Sequence, residues 1–408
     1  MKTCRHCAAP LDQRFLDLGF APPSNAYLLP EALDAPEVTY PLRLMVCGQC
    51  FLVQTEDYAA AEALFDAEYA YFSSTSKSWL DHSARYAATV TARYGLSADS
   101  LVIEVASNDG YLLRNFVAAG IPCLGIEPTA ATADAAEALG IPVLREFFGL
   151  QLGQRLVAEG RQADLIAGNN VYAHVPDIND FTAGLAAALK PQGVITLEFP
   201  HLMRMVEFCQ FDTAYHEHFS YLSFLTVTRI FAGAGLRIFD VEELPTHGGS
   251  LRVHGCLTGA GHAVTPAVAA LLAEERRRGM DGLGFYQSFQ PRADQIKDAF
   301  LRFLIDAKRD GHSVAGYGAA AKGNTLLNYA GVKPDLLPFI CDAAPSKQGK
   351  LMPGSHIPIL PPSALEAARP DYIVILPWNI AAEVRSQLAH LAAQGTRFVT
   401  AVPDLTVT

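Results

Sequence analysis

The chain has 408 residues, too many for one ordinary hydrophobic core, so two or three domains are expected. Half of the residues are hydrophobic and 18% are charged, which excludes an intrinsically disordered chain. The formal net charge is -11 and no segment is dominated by Lys and Arg, which argues against a nucleic-acid partner, since a phosphate backbone demands a basic face.

The most apolar runs, residues 101–105 and 372–376, have the length of strands and fall far short of the ~20 residues a spanning helix needs, so no membrane partner is expected. The opening Met1-Lys-Thr-Cys4-Arg-His-Cys7 lacks the apolar core of a secretory signal. A cytoplasmic location is therefore expected, where thiols stay reduced. Of eight cysteines, four form two tight pairs; Cys123, Cys209, Cys256 and Cys341 sit in apolar contexts and read as inert core residues.

Residues 1–70 are rich in Pro, Leu and aromatics and lack long helical periodicity, so they predict short strands broken by a loop at Phe20-Ala-Pro-Pro-Ser-Asn25. They hold Cys4-Arg-His-Cys7 and Cys47-Gly-Gln-Cys50. A Cys-x-x-Cys knuckle sets two thiolates at the corner angle of a tetrahedral zinc, and two knuckles complete its shell. Cys4, Cys7, Cys47 and Cys50 then leave no position for water or substrate, which makes the zinc structural. The competing reading is two unrelated reduced pairs or a redox dithiol.

From about residue 71 to 260 strands alternate with amphipathic helices. Strands are predicted at 101–105, 123–127, 143–146, 164–167 and 194–199, with helices at 111–119, 131–139 and 181–189 between them. This alternation argues for a parallel, doubly wound α/β sheet. Segments 237–244 and 250–257 read as an antiparallel hairpin, and five parallel strands followed by such a hairpin are the plan of a class I methyltransferase. The loop Glu104-Val-Ala-Ser107-Asn108-Asp109-Gly110, between an apolar strand and a helix, lets backbone approach a nucleotide-like ligand. Glu127, about 20 residues on, is placed to bind two ribose hydroxyls. The usual Glu-x-Gly-x-Gly-x-Gly appears here with Ala106 and Asn108 at two glycine positions, and only Gly110 is kept. On the methyltransferase plan Glu104, Ser107, Asn108, Asp109, Gly110 and Glu127 are the candidate contacts to S-adenosylmethionine; the competing reading is a generic nucleotide-binding α/β domain. Asn169 and Asn170, just past the fourth strand, lie where the adenine or the reacting groups of such folds sit.

Tyr215-His216-Glu217-His218 places two imidazoles and a carboxylate within four residues, and His174 lies in a second polar stretch. One reading is general acid/base work, because imidazole takes and returns a proton near pH 7. A second is a metal site, with His216 and His218 on one face of an extended segment. A third is a hydrogen-bonded structural cluster. Proton chemistry is preferred, because the four cysteines already account for a metal.

A helical stretch, residues 263–310, leads into a second α/β unit with strands at 313–317, 337–341, 371–376 and 397–401. Its loop Gly316-Tyr317-Gly-Ala-Ala-Ala-Lys322-Gly-Asn324 opens a helix after an apolar strand. Such a loop can cradle phosphate with its amides while Lys322 adds a cation. The alternative is a plain tight turn.

Taken together these motifs resemble the sugar C-methyltransferases of deoxysugar pathways, the family of the tetronitrose and mycarose C-3 methyltransferases. The resemblance runs essentially end to end. It rests on the paired cysteines, Tyr71-Phe-Ser-Ser74 with Trp79, the loop Glu104–Gly110, Tyr215-His-Glu-His218, His247-Gly-Gly-Ser250, the loop Gly316–Asn324, and Cys341-Asp342 with Pro345-Ser-Lys347-Gln-Gly349. It implies a zinc-binding domain (1–70), a methyltransferase domain that binds S-adenosylmethionine (71–260) and a C-terminal Rossmann-like domain (261–408) that binds the nucleotide-sugar. It also implies a nucleotide-linked 4-keto-deoxysugar substrate, with dTDP the expected nucleotide, held between the second and third domains, and His218 as general base. Tyr215, Glu217 and His174 are then candidates to polarise the ketone, stabilise an enolate or orient the base. Tyr69, Tyr71, Ser74, His247, Ser250, Tyr317, Lys322, Asn324 and Lys347 are the candidate substrate contacts. The protein is expected to be a monomer or small homo-oligomer. The readings weighed against this are a methyltransferase of an oxygen or nitrogen acceptor, and a non-catalytic binding protein of the same fold.

Overall fold

The computed structural model describes residues 2–56, 58 and 72–408; Tyr69 and Tyr71 lie outside the described residues. Three sheets organise the described residues. In the first, β1 (Gln13–Ala21) and β2 (Tyr40–Val46) pair antiparallel and β3 (Val53–Thr55) adds to β2. Leu42, Leu44 and Val46 alternate inward along β2, the period of two that a half-buried strand requires. The expected break at Phe20 comes slightly later, because β1 continues to Ala21.

The second sheet contains the parallel strands β4 (Val102–Val105), β5 (Cys123–Ile126), β6 (Val143–Leu144), β7 (Ala163–Asn169) and β8 (Leu189–Pro200). A two-residue strand, β9 (Ser220–Tyr221), follows β8 in the chain and leaves this sheet to become the fourth strand of the first one, pairing Val53 with Tyr221 and Gln54 with Ser220. The hairpin of β10 (Leu236–Leu244) and β11 (Ser250–Leu257) completes the second sheet in the order β10-β11-β8-β7-β4-β5-β6. Strand order reverses beside β4, and that switch point opens a crevice at the carboxyl ends of β4, β5 and β7. β7 and β8 run further than the apolar pattern predicts, since Asn169 and Glu198 stay in the ladder as a pair at its polar end.

The linking stretch is broken into helices Pro266–Arg277, Gly284–Gln287 and Phe289–Arg309. In the last, Phe289, Ala293, Ile296, Phe300, Leu304 and Ala307 are buried at the three-to-four spacing of one helix face. The ring of Phe289 stacks on Phe15 of β1 at 4.6 Å. The third sheet has the order β14-β13-β12-β15-β16-β17, formed by β12 (Val314–Tyr317), β13 (Ile340–Cys341), β14 (Ile359–Leu360), β15 (Tyr372–Ile375), β16 (Arg397–Thr400) and β17 (Thr406–Val407). All pair parallel except β17. β14 and β17 are too short to be read from periodicity.

Residues 22–39, between β1 and β2, form a strap laid across this third unit. Leu28 bridges Leu351, and the Glu37 carboxylate accepts from the Gly354 amide and pairs with His356 Nε2, both at 2.8 Å. One continuous apolar cluster joins residues from all three sheets, so their relative placement is fixed by burial.

Candidate functional site

The four paired cysteines converge. Their sulfurs lie within 4.8 Å of one another, with Cys4–Cys50 and Cys7–Cys47 each at 3.5 Å. A zinc–sulfur bond of about 2.3 Å spaces tetrahedral ligands about 3.8 Å apart, so the quartet fits zinc and is far too open for disulfides. Each knuckle closes the same way: Ala8 donates to Cys4 O and Phe51 to Cys47 O, and both donors take positive φ. The Gln54 amide and the Gln49 backbone donate to Cys4 Sγ and Cys47 Sγ, which orients those sulfurs and stabilises their thiolate form. Among the described residues this quartet is the one group with metal-ligand geometry.

At the crevice of the second sheet, Ala106 (φ 57°) and Asn108 (φ 49°) hold the left-handed conformation that glycine holds in the usual motif, and Gly110 (φ 77°) keeps it as well. The loop shape survives the loss of two glycines, at a cost of roughly 1 kcal/mol for each L-residue. Glu127 is buried and accepts from the Asn108 and Thr129 amides at 3.0 and 2.9 Å. Backbone amides of Ser73 and Ser74 reach in to Asn108 Oδ1 and Asp109 Oδ2, both at 3.0 Å, so Ser74 borders the cofactor loop through its main chain. Neither oxygen of Glu104 has a well-formed hydrogen bond, although the Tyr111 hydroxyl stands between it and Asn169. Burial holds the Glu104 carboxyl far above its ordinary range. Ser107 Oγ, Asp109 Oδ1, both polar atoms of Asn169 and Asn170 Oδ1 are also buried without a partner. Such a concentration of orphaned polar atoms, mostly acceptors, beside three carboxyl groups fits a ligand that brings ammonium, sulfonium and ribose hydroxyl groups.

Beyond this crevice the second and third units face each other across a polar seam. Tyr215–His218 is a turn, closed by the His218 amide on Tyr215 O at 3.2 Å, and not the extended segment that would align both imidazoles. The turn sends His216 to the first sheet, where its Nε2 lies 3.3 Å from Tyr40 O. It sends His218 inward, edge-on to His174 at 4.5 Å and to Tyr215 at 4.7 Å. Burial, then the neighbouring His174 and His247, hold His218 far below the usual imidazole range, so it is neutral at physiological pH. Burial takes His174 down to about 4, opposed by a hydrogen bond to the Glu217 backbone. Glu217 is pushed up to about 7 by burial, against the opposing hydrogen bonds of Asn25 Nδ2 at 3.1 and 3.2 Å.

His247 takes positive φ and accepts from Asn170 Nδ2 at 3.0 Å, which ties the β10–β11 turn to the crevice of the second sheet. Ser250 turns its hydroxyl back to Thr246 O. Lys322 lies over the Trp378 ring at 4.5 Å and donates to Asn379 at 2.6 Å. Lys347 donates to Ala319 O at 2.9 Å, beside Asp342. Asn324 is buried with its Nδ2 unpartnered. Tyr317 instead points away from the seam, into the apolar cluster on the other face of the third sheet, with its hydroxyl 3.4 Å from Gln387.

Several groups at this seam escaped the sequence reading. Trp378 Nε1 donates to Asp212 Oδ2 at 2.7 Å, and burial lifts Asp212 to about 6. Nothing in the sequence links these residues, which are 166 positions apart. Both of the chain's tryptophans face the site, since Trp79 meets His247 at 5.4 Å and Tyr111 at 6.0 Å. Glu198, at the end of β8, gathers His82, Arg252 and Thr246 at 2.7–3.0 Å. A carboxylate closing an apolar strand, the same signal that marked Glu127, would have found it.

The strand order, the acidic loop and the seam define a class I methyltransferase carrying a structural zinc domain and a further α/β domain. Family models agree along the chain: residues 4–65 match "Putative zinc binding domain", residues 79–241 match "Methyltransferase domain", and residues 245–403 match "C-methyltransferase C-terminal domain". The chain is 33% identical over 401 residues to C-methyltransferase NovU of Streptomyces niveus, covering 98% of this chain and 95% of that one. It belongs to that family, and it is an S-adenosylmethionine-dependent C-methyltransferase with a zinc-binding domain. Among solved structures, magnesium protoporphyrin IX methyltransferase of Synechocystis PCC 6803 with bound SAM matches 44% of this chain and 79% of its own, at 15% identity and TM-score 0.35. The 1,6-didemethyltoxoflavin-N1-methyltransferase of Burkholderia thailandensis matches 51% and 96%, at 15% identity and TM-score 0.37. At these scores they add nothing to what the strand order carries. No described helix is long and apolar enough to cross a membrane.

Proposed function

We propose that this C-methyltransferase acts on a nucleotide-linked 4-keto-deoxysugar, with dTDP the expected nucleotide, and methylates the carbon beside the ketone, C-3. The observation that carries the reading is His218, a half-buried, neutral imidazole held by His174 and Tyr215 at the seam next to the cofactor crevice. A neutral imidazole is a proton acceptor, and an oxygen or nitrogen acceptor has less need of one, because it is already nucleophilic. In this mechanism His218 removes the C-3 proton, and the electron pair of that C–H bond spreads into the ketone as an enolate. Tyr215, Glu217 and His174 surround the enolate oxygen and the base, and stabilise or orient them. S-adenosylmethionine supplies an activated methyl group, so the C-3 carbon forms its new bond as the carbon–sulfur bond breaks, and the protein contributes chiefly proximity and the base.

In the same reading, residues 1–70, 71–260 and 261–408 are the working domains. Glu104, Ser107, Asn108, Asp109, Gly110, Glu127, Asn169 and Asn170 hold the methyl donor. Lys322, Lys347, Asn324, His247, Ser250 and Ser74 line the sugar-nucleotide side. Trp378 and Asp212 join that set by their contact with Lys322. The test is incubation with S-adenosylmethionine and a panel of 4-keto nucleotide sugars in deuterated water. Gain of one methyl group at C-3, with solvent deuterium exchanged into C-3 of recovered substrate, is the expected result. Transfer to oxygen or nitrogen, without exchange at carbon, would overturn the proposal.

A further inference from the structure

The geometry points to Asn25, in the strap of the zinc-binding unit, as a positioning residue of the active site: its side-chain amide spans both oxygens of Glu217 and sets the orientation and protonation of that carboxyl. This rests on the reading of Glu217 as part of the catalytic group. Asn25 Nδ2 lies 3.1 and 3.2 Å from the two oxygens, and the carboxyl is buried. The strap is anchored on both sides of Asn25. Ser24 is buried with its hydroxyl 3.4 Å from Thr325, and the Tyr27 hydroxyl donates to Ala319 O at 2.6 Å. Beyond these, Leu28 bridges Leu351 and Glu37 caps Gly354.

A second set of contacts links the zinc unit to the same turn. Thr55 Oγ1 donates to His218 O at 3.2 Å and the Thr55 amide to Phe219 O at 3.2 Å, while Gln54, paired with Ser220, donates to the Cys4 sulfur. The turn that carries Glu217 and His218 is therefore bounded on one side by β3 of the zinc unit's sheet and on the other by its strap. The titratable groups packed about Glu217 are Tyr27 from the strap, Tyr215 from its own turn, Tyr221 from β9 and His174, whose ring bonds the Glu217 backbone. An N–H donor between the oxygens stabilises the carboxylate form, so Asn25 draws the Glu217 titration downward against the burial that raises it.

The test is the pH–rate profile of Asn25→Ala and Asn25→Asp beside Glu217→Gln, with zinc content and S-adenosylmethionine affinity measured on each. Glu217→Gln identifies the limb that belongs to Glu217 by removing it. Asn25→Ala is expected to move that limb about one to two pH units upward, the equivalent of one hydrogen bond to a charged group. Asn25→Asp, nearly isosteric, is expected to move it further, because two adjacent carboxyls share a proton. Zinc content and donor affinity should match the wild type. A limb that stays in place in both Asn25 variants overturns the inference and leaves the role of Glu217 standing. Unchanged turnover and profile in Glu217→Gln overturns both.

Discussion

Glu217→Gln should make the protein more stable on the alkaline side while slowing the reaction. Glu217 is 3% exposed, and burial raises its carboxyl from 4.5 to about 7. Between those values the folded chain binds a proton that the unfolded chain has released, so stability falls as pH rises through the window and stays level below it. At about 1.4 kcal/mol per unit, the full loss above pH 7 is about 3 kcal/mol. The glutamine variant keeps an oxygen for the Asn25 amide and never ionises, so it escapes that loss. Urea unfolding of both proteins from pH 4.5 to 8.5 measures it. The stability advantage of the variant should be small at the acid end and reach about 3 kcal/mol at the alkaline end. An advantage that is constant with pH, or a wild type that gains on the variant as pH rises, would refute the buried, raised carboxyl.

His218→Ala should leave zinc content and S-adenosylmethionine affinity intact, by calorimetry, while lowering turnover at least about 100-fold. Cys47→Ser should bring zinc below one ion per chain, by metal analysis, and lower the melting midpoint by more than about 4 °C. In the cofactor loop, Gly110→Ala would set a Cβ 2.4 Å from Ile141 Cδ1 at a φ of +77°, so a stability loss above about 2 kcal/mol and weaker donor binding are expected. Ala106→Gly, at a φ of 57°, should do the opposite and stabilise by about 0.5–1 kcal/mol, as denaturant midpoints will show.

Much of the protein's organisation can be read from local pattern. A strand is an alternating or continuous apolar run and a zinc knuckle is two cysteines three positions apart, so β4, β5, the β10–β11 hairpin and the metal quartet are legible from neighbours in the chain. So is the loop after β4, because Glu104 and Gly110 frame it even where Ala106 and Asn108 replace glycine. The structure adds that these two residues accept the left-handed backbone.

What the chain order could not supply is which surfaces meet. The two-residue β9 has no periodicity to read, yet it carries the His218 turn into the zinc unit's sheet, because an unpaired strand edge there needed a partner. The turn itself, rather than an extended run, decides that His216 faces Tyr40 while His218 faces His174. Asn25 reaches Glu217 across 192 positions, and Trp378 reaches Asp212 across 166. Local composition determined which residues can do chemistry here. Burial of one apolar core shared by three sheets decided which of them stand together, since desolvation and side-chain hydrogen bonding act between neighbours in space.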